Sequence, residues 1–175
     1  MLVIGYGNEL RGDDGVGQAV AKALGSEGGT PGLADVAYIW LVQLVPEMAL
    51  ELSRSTFAVF VDAAYDGGPP GSVNVHQLDH PVPAEDCSAG GAAVSGCWLD
   101  LPPAGLLALS AELYGQAPQA VLVTISVGAP ALGPGLSPAV RAGVPVAALA
   151  VKRAIASWSR PDRSRARRGG PLLHA

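Results

Sequence analysis

Apolar and polar positions alternate between two rhythms along the chain. Met1-Leu2-Val3-Ile4 is a short apolar run that reads as a buried strand. Val16, Ala19, Val20, Ala23 and Leu24 then recur at helical spacing. Asp35 to Leu41 reads as a second strand, and Pro46 stands at the start of a short helix carrying Met48, Leu50 and Leu52. Phe57-Ala58-Val59-Phe60-Val61 is apolar without alternation, the pattern of a parallel strand buried on both faces. Ser72 to Leu78 alternates and predicts an antiparallel strand at the sheet edge. Pro102 and Pro103 open a helix with Leu106, Leu107, Leu109 and Leu113 that closes at Tyr114-Gly115. Ala120 to Val127 is the clearest strand, rich in β-branched residues. Ser137 and Pro138 cap a last helix with Val140, Val144, Ala148 and Val151, running to about Trp158, which Pro145 should kink or restart.

The order β-α-β-α-β-β-α-β-α predicts an α/β fold of three layers. Its centre is a mostly parallel, twisted sheet of about five strands with helices on both faces. Between the elements lie turn-rich stretches at Gly25 to Gly32, Asp66 to Gly71 and Gly128 to Leu136, and a long Pro-, Gly- and Ala-rich loop over 81–104. No internal repeat is visible.

Composition narrows the class. The 175 residues suit one domain over 1–158 with a tail over 159–175, and an apolar share of 49% allows a sizeable core. No apolar run approaches the roughly 18 to 20 residues of a membrane span. The first strand has no basic segment before it, unlike a signal peptide, so the expected location is the cytoplasm. There, Cys87 and Cys97 are expected as free thiols or metal ligands, not as a disulfide. Five arginines and one aspartate give the tail +4; the whole chain carries −4, leaving −8 on the body. An acidic body with a solubilising basic tail is not the pattern of a nucleic-acid binder.

The stretch with the densest chemistry is Gly5 to Gly17, with five glycines in thirteen residues and the pair Asp13-Asp14. It joins the first strand to the first helix. Either aspartate suits a helix cap. A dinucleotide loop of the form G-x-G-x-x-G is disfavoured, because Leu10 stands where the third glycine belongs and two acids repel a pyrophosphate. An acidic, glycine-rich loop fits a cation or a metal-bearing substrate better. Asp62 ends the central apolar strand. In a parallel sheet ligands bind at the carboxyl ends of the strands, so Asp14 and Asp62 are expected on one rim although they are 48 positions apart. His76 and His80 flank the end of the edge strand, and His76 reads as solvated.

The pattern G-x-G-N-x-L-x-x-D-D-G-x-G over residues 5–17 closely resembles the opening of the [NiFe]-hydrogenase maturation endopeptidases. Gln43-Leu44-Val45-Pro46-Glu47 resembles a segment from one branch of that family. The resemblance covers nearly all of 1–158 and implies an endopeptidase that removes the C-terminal peptide of a hydrogenase large-subunit precursor once nickel is in place. It implies no permanently bound metal: nickel arrives with the substrate. Matching motifs puts the metal-contacting and catalytic acids at Asp14 and Asp62, and lines the substrate loops with Gly5, Gly7, Asn8, Asp13, Gly15 and Gln43. The third metal contact, a histidine in the family, falls on Cys97 within Ser95-Gly96-Cys97-Trp98-Leu99-Asp100-Leu101. Three readings stay open there: a thiolate replaces the imidazole, His80 or Cys87 supplies the ligand, or the site is lost. The last would leave a non-catalytic, nickel-dependent binding module. Family precedent implies a monomer.

Overall fold

A computed structural model describes residues 1–26, 35–78, 101–129 and 133–159. His80, Cys87, Cys97, most of the long loop and the tail from residue 160 lie outside the described residues, as do parts of the loops after the first helix and the last strand. Among the described residues there are five strands: β1 (Leu2–Tyr6), β2 (Ala37–Leu41), β3 (Phe57–Ala64), β4 (Val73–Leu78) and β5 (Gln119–Ser126). Four helices accompany them: α1 (Val16–Ser26), α2 (Met48–Ser53), α3 (Pro103–Tyr114) and α4 (Pro138–Ser159). A 3-10 turn over Gly12–Gly15 leads into α1.

The sheet order is β2-β1-β3-β5-β4, with all pairs parallel except β4 against β5. This is the expected mostly parallel α/β sheet. Strand residues alternate between its faces with period two. Val3, Val59, Val61, Val121, Val123 and Ile125 point to the side of α1 and α4, where they pack with Val16, Val20, Val140, Val151 and Ile155. Leu2, Ile4, Ala58, Phe60 and Ala120 point to the other side, onto Leu52 of α2 and Leu106 and Leu107 of α3. The unbroken apolar run of β3 is thus explained: Phe57 to Val61 is buried on both faces. Each fully buried Leu, Ile or Phe contributes about 1.5–3 kcal/mol. Phe57 also stacks on Trp158, with ring centroids 4.8 Å apart, which fastens the end of α4 to the sheet.

Pro145 does not restart the last helix. α4 runs without interruption from Pro138 to Ser159, with Pro145 inside it. Pro145 and Arg141, whose carbonyl loses its usual donor, both lie on the exposed side, where water can satisfy that oxygen. No helix among the described residues is long and apolar enough to cross a membrane.

α1 lies so close to the sheet that a side chain does not fit between them. A Cβ on Gly17 would run into the carbonyl oxygens of Val61 and Tyr6, and one on Gly5 into the carbonyl of Gly17. Gly17→Ala should therefore lower stability by about 1–3 kcal/mol. The control Gly128→Ala, where nothing lies within 4 Å of the new atom, should be neutral or slightly stabilising. Urea unfolding with an unchanged slope would read both.

Candidate functional site

The site grows from the junction of β1 with the 3-10 turn. Gly7 has φ +126°, and a Cβ there would strike the carbonyl of Asp14, so only glycine closes this loop. The Gly7 N–H donates to the carbonyls of Leu41 and Val42, both at 3.2 Å. Its own carbonyl accepts from the buried Gln18 Nε2 at 2.7 Å. The loop is also tied at its far side: Gly133 N–H donates to the Leu10 carbonyl at 3.1 Å, and Arg11 bridges to Gly133. Loop 7–15 is therefore clamped between the segments after β2 and after β5.

The two neighbouring aspartates divide the work. Neither is spent on α1, the helix they were expected to cap. Asp14 turns back to the rim: its Oδ2 accepts the Asn8 N–H at 2.9 Å, and its Oδ1 lies 3.4 Å from the Tyr65 hydroxyl. Asp13 Oδ1 accepts the Ser137 N–H at 2.6 Å, 124 positions away, at the start of α4. There Ser137 Oγ accepts the Val140 N–H at 3.4 Å, the N-cap bond its sequence position predicted. The intervening 3-10 turn is the physical reason for the difference. It displaces both carboxylates by a turn from the first N–H groups of α1.

Asp62 stands in the last part of β3, half-buried, its Oδ1 accepting the Ala63 N–H at 2.8 Å. In register it lies opposite Thr124 of β5, and Gly5 of β1 lies opposite Val61, one step back. β1 has β2 on one side and β3 on the other, with α1 and α2 on opposite faces. The carboxyl ends of β1 and β3 are thus the switch point of the sheet, where α/β folds bind ligands. Asp14 and Asp62 do share this rim, and the hydroxyl of Tyr65, three residues beyond Asp62, reaches Asp14. Burial raises the pKa of Tyr65 above its ordinary value; the Asp14 charge adds to this, and Arg11 partly offsets it. The phenol therefore stays protonated and can donate to Asp14.

Of the other expected residues, Gly5, Gly7 and Gly15 are buried and packed against Gly17, Asp14 and Glu9 respectively. Asn8 contributes its N–H to Asp14, and its Oδ1 accepts the Leu10 N–H at 3.0 Å. Gln43 is exposed beside Val42 on the same rim. Among the described residues no three His, Cys, Asp or Glu side chains are grouped to hold a metal ion, and Cys97, the third expected ligand, lies outside them. Sequence reasoning missed Tyr65 and Gln18. Neither had a clear signal: Gln18 falls opposite the apolar stripe of Val16, Val20 and Leu24, and Tyr65 had only its place after a strand end.

A three-layer α/β fold with two carboxylates at its switch point defines the class of this protein. The sequence matches no family model and no curated protein, and the likeness is carried by solved structures. A hydrogenase 2 maturation peptidase from a Thaumarchaeota archaeon is 26% identical, covers 89% of this chain and 97% of its own, and superposes with a TM-score of 0.64. The [NiFe] hydrogenase maturation protease HycI from Thermococcus kodakarensis is 25% identical over 86% and 89%, with a TM-score of 0.61. The hydrogenase maturating endopeptidase HybD from E. coli has the same fold at 19% identity, over 90% and 93%, with a TM-score of 0.62. The chain has the fold of these hydrogenase maturation proteases.

On the other flank of the rim, Asp66 organises the β3–β4 turn. The Gly68 N–H and then the Ser126 hydroxyl, donating at 3.0 Å each, hold its carboxyl below the usual carboxylate range. A depressed folded-state pKa stabilises the fold above the unfolded value near 4. That stability is lost as the pH falls through the folded value. Asp66→Asn should therefore lower Tm at pH 7, and the gap to the unaltered protein should close in strong acid. Thermal melts across pH 2–7 check this.

Proposed function

We propose that this protein is an endopeptidase that removes the C-terminal peptide of a [NiFe]-hydrogenase large-subunit precursor after nickel insertion. The observation that carries the reading is the placement of Asp14 and Asp62 at the carboxyl ends of adjacent parallel strands, in the fold of the maturation proteases. Nickel comes with the substrate, seated in the precursor, and is not a resident cofactor.

Each carboxylate has one oxygen fixed by a backbone N–H, from Asn8 or from Ala63. Among the described residues the second oxygen of Asp14 meets a phenol donor at 3.4 Å, which a stronger partner can displace. The two acids would contact the nickel-bearing end of the precursor and hold the scissile bond at the rim. Cys97 or another side chain of the loop over 79–100 would complete the contact, a thiolate being a good donor to nickel. Gln43 and the loop around Asn8 flank the place where an extended peptide would lie. Activity by a single copy, in the cytoplasm, follows from the same reading.

The test is the intact mass of the partner precursor, nickel-loaded or nickel-free, after incubation with this protein. Loss of a C-terminal peptide from the loaded form alone is expected. Asp14→Ala and Asp62→Ala should each slow it by about 100-fold or more. An unchanged mass with a loaded, correct partner overturns the peptidase. Capture of the precursor without cleavage would leave the nickel-dependent binding module.

A further inference from the structure

The sheet face toward α2 and α3 changes character at its carboxyl end. Phe60 and Ile4 are fully buried there. One row further on, Asp62 of β3, Thr124 of β5 and Asn74 of β4 stand opposite one another in register, and the row is polar. His76 lies on the same face of β4, the one imidazole among the described residues. Its register partner is Leu122, yet its Nε2 lies 3.4 Å from Thr124 Oγ1. The ring therefore leans along the strand toward the rim, and the residue is exposed, open to a substrate.

Cleaving a peptide bond at neutral pH calls for a group that accepts a proton from water and then gives one to the leaving amine. An ionised carboxylate accepts but donates poorly; an imidazole, with one nitrogen to accept and one to donate, does both. We propose that His76 is the proton-transfer residue of this site, with the Thr124 hydroxyl orienting its ring. As water attacks the scissile carbonyl and the new C–O bond forms, the imidazole takes the proton. It returns that proton to the amide nitrogen as the C–N bond breaks. One water is consumed, one carboxyl and one amine are produced, and nothing else is required.

This role rests on the peptidase reading, and the experiment separates the two. Cleavage of the nickel-loaded precursor is followed at saturating concentration with the full chain, with His76→Ala and with His76→Gln. Loss of about 100-fold or more in kcat is expected for both variants, with KM within about threefold and Tm unchanged at this exposed edge position. Added imidazole should restore part of the His76→Ala rate, which a structural role would not allow. An unaltered kcat in His76→Ala, or a loss confined to KM without imidazole rescue, overturns the role of His76 alone. A precursor left intact by the unaltered protein overturns the peptidase reading and this role with it.

Discussion

The backbone contact between α1 and the strands β1 and β3 fixes everything at the rim. Gly17 brings its own backbone against the carbonyls of Val61 and Tyr6, and Gly5 does the same from the strand side. With no side chain between them, the 3-10 turn sits directly over the end of β1, and its acids stand beside the end of β3. A fold with a looser α1 would keep the same topology and lose the juxtaposition. The glycines of the first loop thus act through protein–protein packing within the chain, and the space open to a substrate lies beyond them, beside Asn8, Gln43 and Tyr65.

The acidic pair shows how one short motif serves two purposes. Asp13 is structural, bonded to the start of α4, while Asp14 faces the rim with one oxygen only weakly engaged. Adjacent residues in a 3-10 turn point in different directions, so two neighbouring carboxylates need not act on the same ligand. This also lowers the charge repulsion that a substrate-facing pair would suffer.

Much of this was legible in the sequence. The buried run of β3, the alternation of β4 and the helical spacing of α1 and α4 each follow from periodicity, and together they dictate the parallel sheet. The shared rim of Asp14 and Asp62 followed from strand direction alone. What could not be read were contacts made across the chain. The bond from Asp13 to Ser137 joins positions with no local relation. Tyr65 matters only because β1 and β3 are neighbours, and the tilt of His76 depends on the register of β4 against β5. Pro145 does not end α4, because a helix tolerates proline where the carbonyl it orphans, that of Arg141, reaches water.

The bond between Asp13 and Ser137, with the pairing of Leu10 and Gly133 next to it, has a bearing on the order of events during synthesis. These contacts close loops of more than a hundred residues, the slowest kind to form. The loop over 7–15 precedes these partners by more than a hundred residues and is therefore among the last to be fastened in place. A growing chain that has not yet made α4 holds both acids but not the clamp on their loop, so the geometry of the rim waits for α4.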